Sequence, residues 1–117
     1  MVAIDPQRVA EFWLKVLDWR LLQSDATGAD IGPKDGSGFR IEIGRVDDQK
    51  AVKNRIHLDL RADGTSQSDE LERLVQLGAT RIDVGQPADA TWVVLADPEG
   101  NEFCLLLRTV QQVEDDA

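Results

Sequence analysis

Asn54-Arg55-Ile56-His57-Leu58-Asp59-Leu60 and Asp97-Pro98-Glu99-Gly100-Asn101-Glu102-Phe103-Cys104-Leu105-Leu106-Leu107 are the two pieces of sequence that decide the fold. In the first, apolar Ile56, Leu58 and Leu60 alternate with His57, Asp59 and Arg61. A period of two marks a strand with one face buried. The second opens on Asp-Pro-Glu-Gly, a turn in which proline presets φ and glycine accepts a positive φ. It continues as a strand with Phe103, Leu105 and Leu107 on one side and Glu102, Cys104 and Leu106 on the other. Each strand thus carries one potential metal ligand, His57 or Glu102, opposite its main apolar stripe. Between them the pattern predicts a helix and two strands, so this half reads β-α-β-β-β.

Working outward, Ser66 with Asp69 three residues on predicts a helix N-terminus. Leu71, Leu74, Val75 and Leu77 supply its buried face, and Gly78 a left-handed stop. Strands are expected near 80–84, 91–96 and 101–107. The first half follows the same plan. Asp5-Pro6 opens a helix, and Val9, Phe12, Trp13, Val16 and Leu17 form one stripe over Pro6 to Leu17. Strands are expected at 19–24, near 29–32 and at 39–46, the last alternating Phe39, Ile41 and Ile43 with Arg40, Glu42 and Gly44. The two halves superimpose at an offset of 60: Leu14 meets Leu74, Asp18 meets Gly78, Glu42 meets Glu102 and Ile43 meets Phe103. The expected class is α+β, with two β-α-β-β-β units forming a curved mixed sheet and helices outside. The units span about 1–46 and 54–107, joined by linker 47–53 and followed by a frayed acidic tail, 111–117. The first unit is short of its opening strand, represented only by 1–4, and the exposed edge predicts a homodimer.

Composition narrows the function. A 117-residue chain with 42% hydrophobic and 30% charged residues is expected to be one globular domain. The net charge of −9, without a basic run, argues against a nucleic-acid or anionic membrane partner. A single cysteine, Cys104, excludes an intrachain disulfide and reads as a small buried hydrophobe. No apolar run approaches the ~20 residues of a membrane span, and no signal segment follows Met1, so a cytoplasmic location is expected. No phosphate-loop, dinucleotide, nucleophile-elbow or zinc-ribbon spacing occurs.

The paired units, Asn54-Arg55-x-His57-Leu58-Asp59-Leu60 and Asp97-Pro98-Glu99-Gly100-Asn101-Glu102-Phe103 resemble the vicinal oxygen chelate superfamily. That superfamily includes glyoxalase I, extradiol dioxygenases, fosfomycin-resistance enzymes and bleomycin-binding proteins. Asp5 to Trp13 with Leu17-Asp18-Trp19 is similar to the first helix of its small glyoxalase-like bacterial members. The resemblance implies metal ligands on the first and last strands of each unit, here His57, Glu102 and Glu42, with the fourth position on the missing strand. It implies one divalent metal (Zn, Ni, Mn or Fe) or none, with Glu102 as the catalytic carboxylate. Arg40 and Asp59, which share the ligand-bearing strand faces, and Trp92, beside a cleft-lining strand, are expected along the substrate cleft. Neutral imidazole is the ligating form, so affinity is expected to fall in acid. Two functions follow: a metal-dependent lyase, isomerase or dioxygenase acting on a small oxygen-rich molecule, or a metal-free binding protein of the bleomycin-resistance type.

Overall fold

A computed structural model describes residues 1–54 and 56–116. Arg55, part of the first motif, and Ala117, the end of the expected tail, lie outside the described residues. The chain divides into two compact units, Met1–Ala51 and Val52–Ala117. Each unit holds a four-stranded mixed sheet, and together they contain three helices, which makes the fold α+β.

Unit 1 runs β1 (Val2–Ala3), α1 (Pro6–Leu17), β2 (Arg20–Asp25), β3 (Gly28–Gly32) and β4 (Ile41–Arg45), in the sheet order β1-β4-β3-β2. The Asp5 carboxylate caps α1 by accepting from Arg8 N at 3.2 Å, and Asp18 ends it in the left-handed region at φ 54°. Val9, Phe12, Trp13 and Val16 form its buried face, and Ala29, Ile31 and Ile43 are buried on the sheet beneath. Gly28 lets β3 and β4 approach closely, since a Cβ there would stand 2.2 Å from the Ile43 carbonyl oxygen. β1 is short as expected, and pairs parallel with β4.

Unit 2 repeats the plan with β5 (Leu58–Leu60), α2 (Gln67–Leu77), β6 (Thr80–Arg81), β7 (Val93–Ala96), β8 (Glu102–Leu105) and α3 (Val110–Asp115). Its sheet order is β5-β8-β7-β6. The offset of 60 correctly equates β4 with β8: each pairs parallel with the first strand of its unit and antiparallel with the third. Ser66 Oγ caps α2 by accepting from Asp69 N at 3.1 Å. Gln67 Nε2 ties that end to the sheet by donating to Thr91 O and Leu105 O at 3.0 and 3.3 Å. Leu74, Leu95, Phe103 and Leu105 are fully buried and form the centre of the unit.

Several expectations need correction. Strand pairing starts at Leu58, and Ile56, read as inward-facing, is 87% exposed. Phe39 precedes β4 and is exposed; its ring meets Trp19 edge-on instead of entering the core. Val75 is exposed, leaving Leu74 as the buried anchor of α2. The segments expected at 80–84, 91–96 and 101–107 shorten to Thr80–Arg81, Val93–Ala96 and Glu102–Leu105, with Leu107 outside. In the strands, apolar alternation runs past the residues that find a ladder partner. The tail is not frayed over 110–115. Thr109 and Gln112 form a reciprocal capping box, Val110 N donates to Ala62 O, and Gln111 bonds Gly64 N and Asp63. No helix among the described residues is long and apolar enough to cross a membrane.

Candidate functional site

The two faces of the unit 2 sheet have separate chemistry because β5, β7 and β8 alternate in register. Leu58 lies opposite Phe103, which lies opposite Leu95; Leu60 lies opposite Leu105, which lies opposite Val93. These residues make the core face. On the other face Asp59 lies beside Cys104, which lies beside Val94, and Ala96 lies beside Glu102. His57, two residues before Asp59, and Leu106, two after Cys104, extend that face by the same period.

This second face is the floor of a cleft of about 350 Å³ lined by residues that include Lys53, His57, Asp59, Trp92, Glu102 and Cys104. Val84, Val94 and Leu106 add apolar surface. His57 Nε2 stands 3.1 Å from Asp59 Oδ1 and 3.6 Å from Cys104 Sγ. One ligand atom from each of these three residues falls within 4.8 Å of the others. Nitrogen, oxygen and sulfur donors converging in this way fit a borderline divalent cation such as Zn(II). Burial pushes the Cys104 thiol pKa up, the Asp59 and Glu102 carboxylates push it further, and Lys53 pulls the other way. The thiol is therefore neutral near neutral pH.

Local structure holds these groups in place. Asn54 Oδ1 accepts from Glu102 N at 3.2 Å, pinning the approach to β5 against the start of β8. Asp97 organises the preceding turn: its Oδ1 accepts from Glu99 N and Asn101 N at 2.9 and 3.0 Å, and its Oδ2 from Asn101 Nδ2 at 3.0 Å. Gly100 closes the turn at φ 87°. Gln86, which also lines the cleft, braces its own loop by accepting from Val84 N and donating to Ile82 O.

The structure brings His57, Asp59, Glu102 and Trp92 to one cleft. Glu42 and Arg40 belong to unit 1, where Arg40 Nη2 donates to Glu42 Oε1 at 3.2 Å and lies 3.7 Å from Asp30 Oδ2. Sequence reasoning missed Cys104 as a neighbour of His57, although period-two parity already placed it beside Glu102. It also missed Lys53 and Gln86, which reach the cleft from loops where no periodicity operates.

A profile of the glyoxalase-like domain family matches residues 1–106. No curated protein sequence matches the chain. Among solved structures, the fosfomycin resistance protein FosX from Mesorhizobium loti aligns at 16% identity and TM-score 0.67, covering 98% of this chain and 92% of that one. A glyoxalase/bleomycin resistance protein/dioxygenase family enzyme from Burkholderia phytofirmans PsJN aligns at 15% identity and TM-score 0.63, with 90% and 91% covered. A variant of FosX from Listeria monocytogenes, complexed with Mn(II) and 1S,2S-dihydroxypropylphosphonic acid, aligns at 16% identity and TM-score 0.66, with 97% and 92% covered. At such identities the structural likeness shows the fold, and the profile match over 1–106 shows the family. The chain belongs to the glyoxalase-like domain family of the vicinal oxygen chelate superfamily.

Proposed function

We propose that the unit 2 cleft binds a small oxygen-rich molecule together with a divalent cation, and that the protein is a metal-dependent lyase, isomerase or oxygenase. The observation that carries this is the convergence of His57, Asp59 and Cys104 on the floor of the cleft, which Glu102 also lines. His57 offers its Nε2 to the cation, and Glu102 is the carboxylate that ligates the ion or takes a proton from the substrate. When bound, such a cation polarises substrate oxygens and stabilises the anion that forms. Lys53 adds positive charge at the rim for an anionic substrate, and Trp92 with Leu106 shields the reacting atoms from water.

Metal-stripped protein titrated with Zn(II), Ni(II), Mn(II) and Fe(II) should take up one ion per chain. His57→Ala should abolish that uptake and Glu102→Ala should weaken it or eliminate turnover, both with the circular dichroism spectrum preserved. Ion uptake unchanged by His57→Ala would refute the assignment. A second reading, metal-free capture of an apolar or drug-like molecule, draws on the engagement of His57 Nε2 with its neighbours and on the apolar lining of Trp92, Val84, Val94 and Leu106. Small-molecule binding with no ion uptake would favour it.

We also propose a homodimer. β1 and β2 are the edges of the unit 1 sheet, and Val2, Leu21 and Leu22 are exposed there, so a second copy has strand edge and apolar surface to cover. Sedimentation at micromolar concentration should give twice 13.0 kDa; a monomer's mass would sink this part of the proposal.

A further inference from the structure

We infer that His57, Asp59 and Cys104 together form a thiolate-containing cation site on the floor of the cleft, selective for Zn(II) and Co(II) over Mn(II). This inference rests on the proposed ion-binding function and names the donors that set the choice of ion.

Three geometric facts support it. With bonds of about 2.0–2.1 Å to nitrogen and oxygen and about 2.3 Å to sulfur, a tetrahedral ion separates nitrogen from sulfur by about 3.5 Å and nitrogen from oxygen by about 3.4 Å. His57 Nε2 to Cys104 Sγ is 3.6 Å, and His57 Nε2 to Asp59 Oδ1 is 3.1 Å. The remaining pair, Asp59 and Cys104, lies within 4.8 Å, so closure around an ion needs at most about 1.3 Å there and a few tenths of an ångström at His57.

The donors also sit on a rigid frame. Asp59 and Cys104 are direct neighbours across the parallel β5–β8 pair, and His57 lies two residues from Asp59 on the same face. His57 directly precedes β5, so the set joins two paired strand residues to the residue at the strand's entry. Finally, the site faces a cleft large enough for a ligand, so an ion held by three protein donors keeps a fourth position open to water or substrate.

The chemistry of selection follows from the sulfur. A thiolate favours borderline and soft cations, whereas Mn(II) prefers oxygen. On binding, the Cys104 S–H bond breaks, its electron pair goes to the metal and its proton leaves to solvent. Glu102, at the start of β8 on the same cleft wall, then stays available as a base.

The test is a Co(II) titration of metal-stripped protein, free of affinity tag, kept reduced with a phosphine. The expected result is one Co(II) per chain with a thiolate-to-cobalt charge-transfer band in the near ultraviolet. Zn(II) should bleach the band stoichiometrically and Mn(II) should leave it intact. Cys104→Ser should remove the band and lower Zn(II) affinity by at least about 100-fold, a loss beyond that of an outer-shell partner. Cys104→Ala serves as a second variant should the serine hydroxyl impair folding, and Asp59→Asn should weaken binding while keeping the band. His57-dependent Co(II) binding without the band, unaltered in both Cys104 variants, would overturn this inference and leave the proposed function standing. Absence of any His57-dependent Co(II) or Zn(II) binding would overturn both.

Discussion

Phe103→Ala should destabilise the protein by about 3–5 kcal/mol, the usual range for deleting a buried aromatic ring. Phe103 is fully buried on β8, with Leu58 beside it on one side and Leu95 on the other. Its removal leaves a cavity between two strands that cannot collapse without shifting the ladder. Against a total stability of about 5–15 kcal/mol for a domain, such a loss can unfold the chain near body temperature. Urea denaturation followed by circular dichroism reads the change directly, and a loss below about 1 kcal/mol would show that the ring is not the centre of unit 2. The effect reaches the site because residues on either side of Phe103 in sequence, Glu102 and Cys104, face the cleft. A milder change, Phe103→Leu, should keep the fold and weaken ion binding only through looser placement of those two neighbours.

Asp97→Ala should cost about 3 kcal/mol by a different route. The carboxylate is 3% exposed and accepts from two backbone N–H groups and one side-chain amide, all within its own turn. Alanine leaves these donors without that acceptor, at roughly 1–3 kcal/mol for each one that water cannot reach. Glu99 N is the nearest to solvent, whereas Asn101 is buried, so most of the loss falls on Asn101. Asp97→Asn retains an acceptor oxygen and should lose less than half as much. Equal stability of the alanine variant and the parent in thermal melts would contradict this account. The same variant should loosen the β7–β8 turn and so raise the concentration of metal needed to fill the cleft.

The parts of the fold legible in the sequence were those with two agreeing signals. α1 had a cap, a proline and a stripe; α2 had a cap, a leucine and a glycine stop. Strand centres were legible from alternation, but strand ends were not, because Ile56, Phe39 and Leu107 continue the pattern beyond the last ladder partner. α3 was hidden because its stability comes from a cap at Thr109 and from bonds to 62–64, and not from a buried face. At the site, parity put His57 and Asp59 on one strand face and Glu102 and Cys104 on another. Which of them touch depends on the register of a parallel pair, set by hydrogen bonds between segments far apart in sequence. That register puts Cys104 against Asp59 and within reach of His57, a contact no local pattern encodes.

The parallel pairing of β5 with β8 joins segments far apart in the chain. His57 and Cys104 are 47 residues apart, so their contact closes a long loop. Closing a loop of that length has an entropic cost that only the completed sheet repays, so the pairing belongs to the slow, non-local part of assembly. A growing chain on the ribosome presents His57 and Asp59 long before Cys104 emerges. On the proposed assignment the three donors come together only in the paired β5–β8 sheet, so ion uptake would report that the last strand has docked.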